Sequence, residues 1–173
     1  HPHGGIFELP ELTVNNKQPL IEKIIGRPKD AIGIHPKVAE QLSGADFDGD
    51  FVIVIPTNGK TINTSKPLKD LQNFNPKESY KGYPGMKKLE GEAMQKKMGD
   101  ISNLITDMTI RGANESEIAR AVRHSMVVID AEKHNLNYKQ SYDDNSIGAL
   151  KKKYQGSEKA GASAVLENSS EVF

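Results

Sequence analysis

Along residues 1–60 the apolar positions come in short clusters, GIFELPELTV, LIEKIIGRP, AIGIHP and DFVIVIP, each bounded by Gly, Pro, Asn or Asp. Brief β-branched runs punctuated in this way predict the strands of a small sheet or barrel. HPKVAEQLSG, between Ile34 and Gly44, differs: Pro36 is placed for a first helical turn, and Val38, Ala39 and Leu42 recur at helical spacing. That pattern predicts a short helix leading into the next loop. Residues 61–90 carry many breaks and little periodicity, which predicts a long connection with at most a short helix around Leu68 to Leu71. Over 91–140 the period changes. Met94, Met98, Ile101, Leu104, Ile105 and Met108 form one apolar helical face. Asn114, three residues ahead of Glu117, opens a second helix with Ile118, Ala121, Val122, Ser125, Val128 and Ile129 along a face. Residues 141–173 turn polar and predict a surface tail. The expected fold is α+β, with a β-rich N-terminal part followed by a helical region packed on it.

Composition narrows the function classes. The chain has 173 residues, enough for one substantial core or two small ones. Lys+Arg and Asp+Glu both number 23, so any contact with nucleic acid must be local and not a property of the whole surface. The absence of cysteine excludes disulfides, thiolate zinc sites and a cysteine nucleophile, and a cytoplasmic location is expected. No apolar run is long enough to span a bilayer, so no membrane partner is expected. HPHGGIFELP lacks the apolar core of a secretory signal and enters at once on a strand-like segment. The expectation is a piece of a longer protein, inactive or nearly so alone.

The candidate chemistry lies in GADFDGD, Gly44 to Asp50, where Asp46, Asp48 and Asp50 alternate and Gly49 precedes the last. Like charges so close are unfavourable unless a cation or a set of donors sits among them. A helix-loop-helix calcium site does not fit. Counting Asp46 as its first position puts Phe51 where the turn glycine belongs and Thr57 where the bidentate glutamate belongs. A solvated acidic turn is the plain alternative. Against it, the carboxylates are pinned between a short helix and the apolar run FVIVIP. The remaining reading is a magnesium site for phosphoryl or nucleotidyl transfer, since Mg²⁺ takes oxygen ligands shared between carboxylates and substrate phosphate.

Other residues carry weaker signals. His35 reads as a turn histidine packed against the barrel more than as a ligand, and His1 and His3 as a fragment end or expression scar more than as a ligand pair. Lys81, Lys87, Lys88, Lys96 and Lys97, interleaved with Glu90 and Glu92, read as a solvated face. Lys87, Lys88, Lys96 and Lys97 are also candidate nucleic-acid contacts. Tyr80 and Tyr83 read as loop anchors more than as stacking platforms.

IGIHPKVAEQLSGADFDGDFVIVIP, Ile32 to Pro56, closely resembles the catalytic double-psi β-barrel of the two-barrel RNA polymerases. The order is the same: a short strand, a His-Pro dipeptide, a small helix, an Asp-Phe-Asp-Gly-Asp loop and an apolar strand. SGADFDGD lies between the loops of cellular DNA-dependent enzymes and of silencing-type RNA-dependent enzymes, and is similar to single-chain polymerases of phages. HPHGGIFELPELTV and MGDISNLITDMTI followed by AVRHSMVVIDAEK, with Asp130 and Lys133, are similar to silencing-type segments.

The resemblance implies that residues 1–60 are part of the catalytic barrel, with 61–90 a connection, 91–140 a helical region and 141–173 a tail. It implies a nucleotidyltransferase that joins nucleoside triphosphates to an RNA 3′ end on a DNA or RNA template. Asp46, Asp48 and Asp50 would then ligate catalytic Mg²⁺, with Mn²⁺ as a substitute, and Gly49 would be the turn residue. The family's second barrel, with its basic residues, does not fit in this chain, so the remainder of a polymerase chain is an expected partner. The alternatives are a non-catalytic Ca²⁺ or Mg²⁺ module and a degenerate polymerase scaffold.

Overall fold

The computed structural model describes residues 8–26, 28–42, 45, 50–64 and 66–158. The chain divides into two compact units, residues 1–67 and 68–173.

In the first unit LIEKIIGRP, expected as a strand, is helix α1 (Pro19–Ile25). Pro19 opens it, where a missing N–H costs nothing. Gly26 closes it at φ 71°, its N–H donating to the Glu22 carbonyl at 2.9 Å. Leu20, Ile21, Ile24 and Ile25 lie one and four residues apart, which is helical spacing and not the alternation of a strand. The isoleucines lent the run its strand-like composition. Helix α2 (Pro36–Ala39) stands where expected, with His35 as its N-cap. The chain leaves it in further turns, Leu42 N–H donating to the Ala39 carbonyl at 2.9 Å and Ala45 N–H to the Leu42 carbonyl at 3.0 Å. Ala39 and Leu42 are buried.

The expected β portion does not form. Among the described residues there is no strand, only an isolated antiparallel bridge between Lys81 and Leu136 in the second unit. This overturns the double-psi β-barrel expected of residues 1–60 and with it the α+β class. Phe51 and Ile53 are 85% and 81% exposed, and Val54 and Ile55 are exposed as well. Asn58 and Gly59, at φ 48° and 77°, make a two-residue turn of the hairpin type, closed by Lys60 N–H donating to the Thr57 carbonyl at 2.8 Å. No described ladder extends from it. β propensity is a preference for a pleated, half-buried surface, and it becomes a strand only where a neighbour takes up the backbone groups in a ladder.

The second unit is helical. Its centre is the pair α4 (Gly91–Ile110) and α5 (Glu115–His134), joined by the short turn 111–114. On α4 the predicted apolar face is the buried one: Ile101, Leu104, Ile105 and Met108 lie in the core. Met94 and Met98 pack against a cluster of Leu89, Val127, Val128, Ala131 and Leu136. On α5 the predicted face is buried except for Ile129, which is exposed. Burial extends further, to Ala119, His124, Met126 and Val127, because other elements cover the flanks of α5. The capping box is present in a variant form: Asn114 Oδ1 accepts from the Glu117 N–H at 2.9 Å, and Asn114 Nδ2 donates to Glu117 Oε2 at 2.9 Å.

Residues expected as connection and tail contribute to this core. A 3₁₀ turn (Lys69–Leu71) lies where a short helix was expected, and α3 (Pro76–Ser79) follows it. Leu68, Leu71, Tyr80 and Leu89 are buried. Within 141–173, helix α6 (Tyr138–Asp144) ends and α7 (Ile147–Gln155) follows, packed on α4 and α5. α7 buries Ile147, Leu150, Lys151 and Tyr154, a spacing of three and four residues under a lysine-rich sequence. Glu117 holds α7 to the start of α5: Lys153 Nζ donates to Oε1 and Tyr154 Oη to Oε2, each at 2.6 Å. Gly82 is required where it stands, since a Cβ there would lie 2.1 Å from the Asn135 carbonyl oxygen.

Candidate functional site

The acidic loop begins where α2 and its trailing turn end. His35 adopts an extended backbone before Pro36, and its Nδ1 accepts the Lys37 N–H at 3.2 Å. That ring nitrogen is therefore engaged in capping, in keeping with a turn histidine. Ala39 and Leu42 anchor the helix side of the loop by burial. Asp50 ends the loop at an exposed position, followed by the exposed Phe51. Asp46, Asp48 and Gly49 lie outside the described residues. Among the described residues no group of three or more His, Asp or Glu side chains is placed to hold a metal ion. The fit of the loop to a cation thus rests on its donor set. Three carboxylates offer oxygen ligands only, the donor type that suits hard cations such as Mg²⁺, Ca²⁺ or Mn²⁺.

The four candidate nucleic-acid contacts belong to the second unit. Lys87 and Lys88 precede α4 and Lys96 and Lys97 lie on it, all four exposed. Tyr80 is buried, and Asn145 Nδ2 donates to its hydroxyl at 3.2 Å, which makes it an anchor as expected. Its ring meets Phe74 edge to face at 6.3 Å, and the Arg123 guanidinium lies 5.5 Å from the Phe74 ring centre. Arg123 also donates to the Asp70 carbonyl from both Nε and Nη2, so it ties the 3₁₀ turn to α5. No helix among the described residues is long and apolar enough to cross a membrane.

Sequence reasoning missed a buried polar chain between α5 and α6. Asn145 Nδ2 donates to the Ser141 carbonyl at 2.8 Å and approaches Ser141 Oγ at 3.4 Å. Ser141 Oγ meets His124 Nδ1 at 3.1 Å. The direction of this last hydrogen bond follows the tautomer of the ring, and either way it occupies Nδ1 and leaves Nε2 as the second ring nitrogen. Burial, then the charges of Lys97 and Lys151, push the His124 pKa down to about 3, so the ring is neutral in the folded protein. The signal available was small. His124 sits beside Ser125 on a helix predicted from its apolar face, while Ser141 and Asn145 lie in the stretch read as polar surface.

No protein-family model matches this chain, and neither a curated protein nor a solved structure matches it at a significant level.

Proposed function

We propose that the acidic loop, Asp46, Asp48 and Asp50, is the metal-binding element of a template-directed RNA polymerase. The observation that carries this is the sequence Ile32 to Pro56, in which a His-Pro turn, a short helix, ADFDGD and an apolar run follow one another in the order found in that family. α2 supports the reading, because it forms with Pro36 in its first turn and delivers the chain toward the loop. The exposed position of Asp50 supports it too, since a carboxylate that shares a cation with substrate phosphate must be reachable.

The reaction is transfer of a nucleoside monophosphate from a nucleoside triphosphate to the 3′ hydroxyl of RNA, with pyrophosphate leaving. The three carboxylates hold the cation and Gly49 leaves room beside them for the chain end and the triphosphate. Mg²⁺, when bound, neutralises charge on the reacting phosphate and favours the ionised hydroxyl. Lys87, Lys88, Lys96 and Lys97 contact template or product phosphates. The exposed apolar residues of the first unit, Leu20 and Ile24 on α1 and Phe51 and Ile53 after the loop, are covered by the remainder of the polymerase.

The test is incorporation of labelled nucleoside triphosphates with Mg²⁺ on single-stranded DNA and on single-stranded RNA. The chain is assayed within its natural polypeptide, beside a variant carrying Asp46→Ala, Asp48→Ala and Asp50→Ala. Template-dependent product that disappears in the variant supports the reading and identifies the template. A folded wild-type protein that makes no product on either template, with Mg²⁺ or Mn²⁺, makes the loop a structural cation site.

A further inference from the structure

Residues of four helices of the second unit, α4, α5, α6 and α7, line a pocket of about 300 Å³ that is open to solvent on one side. That is the lower end of the size of ligand pockets. Its wall carries Lys97 and Asp100 from α4, His124 from α5, Tyr142 from α6, and Ile147 and Lys151 from α7.

Lys151 is the anomaly in this wall. It is 7% exposed, yet its ion pair with Asp100 Oδ2 spans 3.9 Å, beyond hydrogen-bond length. Its stem is packed away while Nζ keeps contact with solvent on the open side of the pocket, and the carboxylate at this distance supplies charge without a hydrogen bond. Lys97 reaches the same cavity. His124 adds a polar atom without a charge: Ser141 occupies Nδ1, which leaves Nε2, a donor in one tautomer of the ring. Lys97 and Lys151 both oppose a proton on that ring, after burial itself. Asp100 and Glu158 also line the pocket and limit how much negative charge it accepts.

We infer that this cavity binds a small molecule through one oxyanion group, a phosphate or a carboxylate, held by Lys151 with Lys97 and His124 Nε2–H. An oxyanion beside Lys151 takes the place of solvent at Nζ with a charged acceptor, and the apolar remainder of the ligand lies against Ile101 and Ile147. The site shares Lys97 with the proposed nucleic-acid contacts but none of its residues with the acidic loop, and it stands whether or not that loop transfers nucleotides.

The experiment uses inorganic phosphate and, in a separate arm, acetate, each titrated at constant ionic strength against chloride. Thermal unfolding and the ¹H–¹⁵N spectrum of the histidine rings are recorded on the whole chain. The expected result is a saturable rise in Tm, roughly 10 °C at a hundredfold excess over Kd, together with a shift of the His124 Nε2 resonance. The arm that saturates at lower concentration distinguishes phosphate from carboxylate ligands. Lys151→Met removes the charge and keeps the length of the side chain. It should leave the free protein folded, because the Asp100 carboxylate it leaves behind is partly exposed, and should abolish the response. A wild-type chain whose Tm and His124 ring signals ignore both anions overturns the inference. So does a folded Lys151→Met chain that keeps the response. If Lys151→Met does not fold, the wild-type ring titration decides alone.

Discussion

Acid should unfold the helical unit earlier than its carboxylates require, because of His124. The residue is 3% exposed, in the middle of α5. Its pKa is about 3 in the folded protein, held down first by burial and then by Lys97 and Lys151. In the unfolded chain it returns to about 6.5. A depressed folded value means that the unfolded state binds the proton first. The contribution is therefore fully present above about pH 6.5 and is lost progressively as pH falls toward 3. The slope approaches about 1.4 kcal/mol per pH unit, so acidification from pH 7 to about pH 4.5 should remove roughly 3 kcal/mol. Urea unfolding followed by helical circular dichroism at several pH values in that range measures it. A His124→Gln chain has no ring to titrate and should show a flatter dependence, whatever its stability at pH 7. The range stops near pH 4.5 because Glu117 begins to contribute below it, its carboxyl held under the usual range by hydrogen bonds from Lys153 and then Tyr154. Equal losses in the two chains would refute the argument, since His124 would then be accessible to protons in the native state.

Two further outcomes test the packing of the same unit. Gly82→Ala should destabilise by about 1–3 kcal/mol in urea unfolding, because its Cβ would meet the Asn135 carbonyl oxygen at 2.1 Å and the backbone must move. A neutral effect would mean that the 80–82 segment does not sit against Asn135. Asn114→Ala removes the acceptor of the Glu117 N–H at the start of α5 and should cost about 1 kcal/mol in the same assay. No loss would mean that the N-terminus of α5 is satisfied otherwise.

The helical unit was legible wherever one apolar stripe determined the outcome. The face from Met94 to Met108 and the capping pair Asn114 and Glu117 are local patterns, and local patterns suffice for a helix that packs on one side. α7 was harder to see, because its stripe of Ile147, Leu150 and Tyr154 includes a buried Lys151 and is flanked by Lys152 and Lys153. A lysine in a buried position has no sequence signature of its own. His124, Ser141 and Asn145 lie up to 21 residues apart, and only the turn between α5 and α6 brings them together. The β-rich first unit was misread for a related reason. Strand composition is local, but a sheet requires partners distant in sequence, and the described apolar runs of this unit form no ladder. At α1 the spacing of its four large apolar residues was the better guide than their β-branched identity. Ahead of the acidic loop, α2 was readable from Pro36 and the spacing of Val38, Ala39 and Leu42, because proline at the first helical turn is a local rule, whereas the His35 cap was not read.

The measurement that tests the central claim most directly is Mn²⁺ titration of the ¹⁵N-labelled chain, with Asp46→Ala, Asp48→Ala and Asp50→Ala combined in a control. If the three aspartates hold a hard divalent cation, substoichiometric Mn²⁺ should selectively broaden the amides of Ala45 and Asp50 to Val52, excess Mg²⁺ should reverse the broadening, and the control should show neither effect. Amides of the loop that stay sharp, or a control that broadens equally, would contradict the assignment of Asp46, Asp48 and Asp50 as the metal-binding element.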